Sequence, residues 1–177
     1  MAIQATRSHV TRGRRNGRTS LEQEFRFTGD ALDVAAVDAV LFGAPLVGER
    51  SIFGPRPGTE VPQDECSRQL RGFSPVPGFR FDVTMTRLGE GLFRVRFSQP
   101  ERARPYLEGD AVWSVRAEPG AVVFDEQINT ERALTTGGQP LGGPAPSLRR
   151  WLFFRMGHER VMATATTNVA SLLSPGQ

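Results

Sequence analysis

The sequence predicts an α+β domain in which six or seven antiparallel strands pack against one long C-terminal helix. Two patterns support this prediction: repeated alternation of apolar and polar residues with short turns between the runs, and a proline-free final stretch with helical spacing. The length of 177 residues and the 38% hydrophobic content suit one domain that buries a core.

The first elements are a strand and a short helix. Residues 21–27 place Leu, Gln, Phe and Phe on one face and charged side chains on the other, which predicts a half-buried strand. A turn follows, in which Asp30 is an N-cap candidate and Asp33 adds negative charge to the first helical turn. The apolar spacing then predicts a helix over 31–42 that ends at Gly43.

The middle of the chain alternates between loops and strands. Residues 43–62 and 72–78 are rich in Gly and Pro, which favours loops or a cavity lid, and a strand is expected at 65–71 between them. Period-two alternation then recurs four times with short connections, which predicts an antiparallel meander with strands at 79–85, 93–97, 111–115 and 122–128.

The last predicted element is a helix over 148–173, which follows a Gly/Pro-rich loop at 135–147. About 26 residues of helix are ~39 Å long, enough to cross a sheet. One stripe of this helix holds mainly apolar side chains, namely Leu148, Trp151, Phe154, His158, Met162, Ala165, Val169 and Leu172. Four polar side chains lie largely opposite this stripe, namely Arg150, Arg160, Thr164 and Asn168.

The charge is unevenly distributed along the chain. All 22 basic residues are arginines, and five of them lie in residues 1–18 without any acid, which leaves the remainder slightly acidic. We therefore expect residues 1–19 to form a disordered basic arm and residues 20–177 a single domain. The body has no basic stripe, so a nucleic-acid partner is not favoured. Arginine without lysine, together with abundant Ala, Gly and Pro, suggests a high-GC bacterial genome.

Several functional classes lack their usual sequence features. The single Cys66 excludes an internal disulfide framework, and two histidines with one cysteine cannot form a His/Cys metal site. The chain has no phosphate-binding loop, dinucleotide fingerprint, hydrolase elbow or zincin motif. It has no apolar run long enough to cross a bilayer and no secretory signal. We expect a cytoplasmic protein with no cofactor and no membrane partner.

Two side chains are candidates for proton transfer. His158 lies in the apolar stripe of the final helix, where it could act as a general acid or base or be a half-buried structural histidine. Glu126 shares a strand face with Phe124 and Ile128, where a carboxylate needs a partner or a proton. It could form a salt bridge with an arginine such as Arg87 or Arg155, or be a cavity acid with a raised pKa. The strand faces could also be reversed, because Val123 lies opposite.

The order of elements resembles the START-like (SRPBCC, helix-grip) superfamily. The residues that carry the resemblance are the strand Leu21–Phe27 running into the helix after Asp30, then the strand Ala121–Glu131, a Gly/Pro-rich loop, and the helix that contains Leu148–Arg155. This last part is similar to the polyketide cyclase/dehydrase-like branch. The resemblance implies a curved sheet wrapped around the terminal helix and an apolar cavity between them.

The resemblance leaves two main functions open. The first is binding of a small hydrophobic or aromatic molecule, with cavity walls from Phe81, Phe93, Trp113, Phe124, Trp151, Phe154 and Met162 and polar groups from His158, Glu126 and Tyr106. The second is a cyclase/dehydratase-like enzyme in which His158 or Glu126 moves a proton. A third alternative is a nucleic-acid-associated protein acting through the arginine-rich arm. The sequence leaves the oligomeric state open.

Overall fold

An eight-stranded antiparallel sheet forms the body of the protein in the computed structural model, which describes residues 2–15, 18–62, 64–75, 80–99, 106–134 and 157–174. The strands are β1 (Gln4–Arg15), β2 (Arg18–Thr28), β3 (Thr59–Pro62), β4 (Ser67–Phe73), β5 (Phe81–Gly89), β6 (Leu92–Ser98), β7 (Tyr106–Glu118) and β8 (Ala121–Leu134). The helices are α1 (Val34–Gly43) and α2 (Glu159–Leu173). The strand order is β1-β2-β8-β7-β6-β5-β4-β3.

The predicted α+β class and the antiparallel meander are confirmed. Strands β5 to β8 are consecutive neighbours joined by short connections, as the alternation predicts. The described residues form eight strands instead of six or seven, because β1 and β3 extend the two edges of the sheet. Both edge strands have a weak apolar pattern, since an edge strand gains most of its stability from one hydrogen-bonded neighbour.

The expectation of a disordered N-terminal arm is wrong for residues 4–15, which form β1. This strand pairs with β2 along most of its length, and Ile3, Ala5 and Val10 pack against the core. Its positive charge is not unopposed, because Arg7 and Arg12 both bind Glu159 at the start of α2. The sequence separates these partners by about 150 residues, so the local charge pattern could not show the pairing.

Helix α1 begins three residues later than predicted. Its N-cap is Asp33, whose carboxylate accepts the Ala36 N–H at 2.7 Å, so Asp33 is not in the first turn and Asp30 is not the cap. The helix is attached to the β5–β6 turn by the buried side chain of Asp38. This carboxylate accepts the Gly91 N–H at 2.7 Å and pairs with Arg87.

A short loop after α1 reaches the middle of the domain. Residues 45–54 fold back on themselves through the hydrogen bonds Ile52 N–H to Pro45 O (2.9 Å) and Phe53 N–H to Leu46 O (2.9 Å). The loop thereby buries Ile52 and Phe53. The same predicted loop segment, 43–62, also contains β3, which pairs with β4. Of the second predicted loop, 72–78, residues 72 and 73 belong to β4 and residues 76–78 lie outside the described residues.

Helix α2 lies against the inner face of the sheet, preceded by a π-helical turn at Gly157 and His158. The predicted start of this helix, residues 148–156, is outside the described residues. The buried side of α2 includes Met162, Ala165 and Val169, as predicted. On the other side of α2, the Asn168 amide donates to the Ile52 carbonyl at 3.0 Å. No described helix combines the length and apolar character needed to span a bilayer.

Candidate ligand cavity and its buried ion pair

A cavity of about 70 Å³ lies between the inner face of the sheet and α2. Its wall is mostly apolar and contains five aromatic rings. The lining residues are Phe53, Phe73, Pro75, Phe81, Val83, Val95, Phe97, Ala111, Trp113, Glu126, Ile128, His158, Val161 and Met162. Glu126 and His158 are the two ionisable groups among them, so the charged chemistry of the cavity is concentrated at one position.

Glu126 lies at the centre of a hydrogen-bond network within the core. Its Oε2 accepts from Gln23 Nε2 at 2.9 Å and from His158 Nε2 at 2.8 Å, and its Oε1 accepts from Trp113 Nε1 at 2.8 Å. The strand register explains this arrangement. Gln23 on β2 and Trp113 on β7 are the direct cross-strand partners of Glu126 on β8, so all three side chains project from the same face. His158 completes the network from α2.

The carboxylate of Glu126 is ionised at neutral pH. Burial raises the pKa of Glu126, but the nearby His158 charge and the hydrogen bonds from His158, Trp113 and Gln23 outweigh this effect, so the net shift is downward. An ionised carboxylate only accepts hydrogen bonds, which means that His158 carries its hydrogen on Nε2. The predicted cavity acid with a raised pKa is therefore wrong, and Glu126 is a buried anion with three donors.

The ionised carboxylate also determines the orientation of Gln23. Because Glu126 accepts only, the Gln23 side chain must present its NH₂ group, which directs its carbonyl oxygen elsewhere. This Oε1 atom is buried and has no hydrogen-bond donor within the described part of the chain. Burying an unsatisfied acceptor costs free energy of folding. The hydrogen bond from Gln23 to the charged Glu126 offsets that cost.

The predicted partner Arg87 is wrong, and within the described residues the ionisable side chain that contacts Glu126 is His158. Arg87 pairs with Asp38 on α1, while Arg155 lies outside the described residues. The alternative that the β8 faces are reversed is also wrong. Val123 is buried although it projects from the outer face, since its cross-strand partners are Arg26 and Arg116, whose long side chains can cover it.

The structure brings some of the predicted wall residues to the cavity. Phe81, Trp113 and Met162 line it, whereas Trp151 and Phe154 and the side chain of Tyr106 are outside the described part of the protein. Phe93 and Phe124 are fully buried but do not line the cavity, which corrects the prediction. Phe93 lies 6.3 Å from Phe42 beneath α1, and Phe124 lies 6.2 Å from Phe25 and 5.5 Å from Trp113 in the core.

Sequence reasoning missed the wall residues that lie on loops. It also missed Gln23 as a member of the polar network. Phe53 and Pro75 lie in Gly/Pro-rich segments without periodicity, so no pattern indicated the direction of their side chains. Phe53 reaches the wall beside Phe73, with the ring centres 5.0 Å apart. Gln23 did leave a signal, because it interrupts the apolar face of 21–27 just as Glu126 interrupts that of β8.

The described residues bring no group of three His, Cys, Asp or Glu side chains close enough to hold a metal ion. The polar network is an internal hydrogen-bonded group of Glu126 with Gln23, Trp113 and His158. Its carboxylate can hold a charge, and its imidazole can orient a ligand or move a proton.

Comparison with solved structures identifies the architecture. An aromatase/cyclase, Zhui from Streptomyces sp. R1128, matches with a TM-score of 0.53 and 17% identity over 88% of this chain and 93% of its own. Protein Ms6760 from Mycobacterium smegmatis matches with a TM-score of 0.55 and 16% identity, over 95% of this chain and 98% of its own. Ara h 8.0201 matches with a TM-score of 0.51 and 14% identity, over 88% of this chain and 99% of its own.

The chain has the START-like, helix-grip fold. No family model matches the sequence, and no curated protein matches it significantly. At these identities the likeness is one of fold. In helix-grip terms, β1 to β8 form the gripping sheet and α2 is the gripped helix, so the cavity lies where the predicted architecture places one.

Proposed function

We propose that this protein binds a small hydrophobic or aromatic molecule in the cavity between the sheet and α2. The supporting observation is an apolar cavity between the sheet and α2, bordered by the hydrogen-bonded Glu126–His158 pair. Protein interiors are close-packed and contain few voids larger than a water molecule. Apolar cavities are known to remain dry and to accept small apolar ligands. The aromatic wall therefore favours a ligand over structural water.

The volume limits the size of that ligand. The cavity of about 70 Å³ is well below the roughly 150 Å³ that accepts benzene in another protein. Drug-sized ligands occupy roughly 300–1,000 Å³. A ligand with one ring therefore requires some movement of the wall, and Phe53 and Pro75 are the lining residues that lie on loops. The Glu126–His158 pair supplies the polar contact that orients a hydroxyl or carbonyl group.

Two probes of similar size test the proposal, toluene and phenol. Toluene reports the apolar wall alone, whereas phenol adds a hydroxyl group for the ion pair. We expect both to shift the Met162 methyl resonance saturably, because Met162 lines the cavity. We expect phenol to bind more tightly by about tenfold, the factor that one net hydrogen bond of about 1.4 kcal/mol provides.

A cavity-filling variant and its neighbour provide the control. Ala111 lines the cavity, so Ala111→Leu fills part of the space and should abolish both titrations. The adjacent Val112 is partly exposed on the other face of β7, so Val112→Leu should leave both unchanged. Toluene binding that survives Ala111→Leu, or no saturable shift in the wild-type protein, contradicts the proposed function.

A second candidate is a cyclase/dehydratase-like enzyme, an activity suggested by the structural similarity to the Streptomyces aromatase/cyclase. The specific observation in its favour is the 2.8 Å contact between an ionised carboxylate and an imidazole at the wall of an apolar cavity. Such a pair can hold the imidazole in one orientation while its other nitrogen exchanges a proton. The small volume places this candidate second, because a long poly-carbonyl chain does not fit without rearrangement.

Dehydration of 4-hydroxy-4-phenylbutan-2-one tests this candidate. A base removes a proton from the carbon between the carbonyl and carbinol carbons, and the hydroxyl group leaves with a proton as water, which yields the conjugated enone. Absorbance of the enone follows the reaction. Loss of turnover in His158→Gln, with toluene binding retained, supports the enzyme; equal rates in wild type and variant exclude His158 as the base.

A further inference from the structure

One aromatic ring of the cavity wall comes from a loop and reaches across the inner face of the sheet. The ring centre of Phe53 lies 5.0 Å from that of Phe73 on β4 and 6.5 Å from that of Trp113 on β7. These distances are typical of packed aromatic pairs. The strand order places β5 and β6 between β4 and β7. Phe53 therefore packs against rings on both sides of the β5–β6 hairpin, whose inner side chains line the cavity.

The loop that carries this ring, residues 45–54, is closed by hydrogen bonds within itself. Besides the two backbone bonds described above, the Gly48 N–H donates to the Gly54 carbonyl at 3.1 Å. Ser51 Oγ donates to the Gly48 carbonyl at 2.7 Å. These bonds satisfy several backbone groups that would otherwise be costly to remove from water, and residues 51–54 are buried. The loop therefore enters the apolar interior with a defined shape.

Side chains from two other elements hold the loop from outside. Glu60 on β3 accepts the Leu46 N–H at 3.0 Å, near the start of the loop. Asn168 on α2 donates to the Ile52 carbonyl at 3.0 Å. This carbonyl belongs to the peptide group that leads into Phe53. Asn168 therefore fixes the direction from which the Phe53 ring enters the cavity.

We propose that Phe53 sets the upper size limit of the ligand, with Asn168 as its positioning residue. A phenyl group is about as large as one aromatic ring of a ligand, so the Phe53 side chain occupies the room that a second fused ring needs. This inference rests on the proposed function and specifies its ligand class as aromatic molecules with a single ring.

The test compares phenol with 2-naphthol, which carries the same hydroxyl group and one more fused ring. Both are titrated against the Met162 methyl resonance, and the readout is the ratio of the two dissociation constants. We expect the wild type to prefer phenol. Phe53→Ala should change the ratio about tenfold in favour of 2-naphthol, because the added ring gains buried apolar contacts. Phe53→Leu removes less volume and should change the ratio less, in the same direction, which keeps the test open if the alanine variant does not fold.

Phe42→Ala is the matched control for loss of a phenyl ring. Phe42 is partly buried, stacks on Phe93 and is not among the lining residues. This substitution makes the same chemical change away from the cavity, so it should leave the ratio unchanged even where it lowers stability. An equal change of the ratio in Phe42→Ala and Phe53→Ala would overturn the inference.

Asn168→Ala tests the positioning role, because it releases the loop from α2 without removing a wall side chain. We expect the ratio to change about threefold in favour of 2-naphthol, since the loop is then displaced at lower cost. General loss of stability would instead weaken both probes equally and leave the ratio unchanged. Thr164→Ala is the control, because Thr164 is exposed one turn earlier on the same helix. It should leave the ratio unchanged.

The outcomes separate this inference from the proposed function. If the wild type binds both probes equally well, or if Phe53→Ala leaves the ratio unchanged, the size limit fails while the proposed function stands. An unchanged ratio in Asn168→Ala removes the positioning role alone. If the wild type binds neither probe but Phe53→Ala binds 2-naphthol, the proposed function fails and Phe53 is confirmed as the occupant of the space. If neither protein binds either probe, both proposals fail.

Discussion

Replacing Glu126 with glutamine removes the charge at the centre of the buried network with little change in shape. A glutamine keeps one acceptor oxygen and places an NH₂ group where three neighbouring groups already donate. At least one donor must lose its partner in the core. Breaking a buried charged pair typically costs about 3–5 kcal/mol. For a chain of 177 residues this lowers Tm by roughly 6–20 °C, at about 2–4 °C per kcal/mol.

The cost of Glu126→Gln should also depend on pH in a defined direction. The pKa of Glu126 is lower in the folded protein than in the unfolded chain, so the unfolded chain binds the proton more tightly. The stabilisation is then complete above the unfolded pKa of about 4.3 and is lost as the pH falls through the folded pKa. The difference in unfolding free energy between wild type and variant should therefore shrink on acidification.

Urea unfolding of wild type and Glu126→Gln at pH 7, 5, 4 and 3 measures this difference directly. Glu22→Gln is the control, because it makes the same chemical change at a residue that is exposed to solvent. Glu22 lies on β2 next to Gln23. That variant should unfold like the wild type at pH 7. A difference below about 1 kcal/mol for Glu126→Gln at pH 7, or one that does not change with pH, would refute an ionised and fully paired Glu126.

Two further predictions concern the β5–β6 turn and its contact with α1. Gly91 has φ +65°, and an added Cβ would lie 2.9 Å from the Val115 carbonyl oxygen, so Gly91→Ala should cost about 2 kcal/mol or more by urea unfolding. Gly120 has a similar φ of +73° but open space around it, so Gly120→Ala should lower the unfolding free energy less. Equal losses of stability in the two variants would contradict a role for the close contact with the Val115 carbonyl oxygen. Asp38→Asn should cost about 2 kcal/mol in thermal unfolding, because the buried carboxylate loses its charged contact to Arg87. A cost no greater than the ~1 kcal/mol expected for removing the α1 N-cap by Asp33→Ala would contradict that view.

The parts of the fold that sequence predicts well are those with strong local periodicity. The four meander strands and the buried side of α2 follow from alternation and helical spacing, because each reflects one buried face. Strand β1 could not be predicted in this way. Its partners are an antiparallel hairpin neighbour and a carboxylate near the far end of the sequence, and neither produces a local pattern.

The candidate site was predictable in part for the same reason. Glu126 and His158 each interrupt an apolar face, which identifies them individually, but their contact depends on where α2 crosses the sheet. The other two donors to Glu126, Gln23 and Trp113, required the register of β8 against β2 and β7. Phe53 required the path of a loop, which is set by backbone hydrogen bonds that the sequence does not reveal.

The position of β8 beside β2 has a kinetic consequence. Gln23 and Glu126 are separated by 103 residues, so the polar network closes a very long loop of chain. Contacts of this kind are slow to form, because most of the chain entropy is lost before they add stability. Until β8 arrives, the edge of β2 that faces away from β1 has no hydrogen-bonded neighbour and is prone to mispairing. We therefore expect slow folding, with the network and its cavity assembled only in the final step, so that no partly folded form presents a competent site.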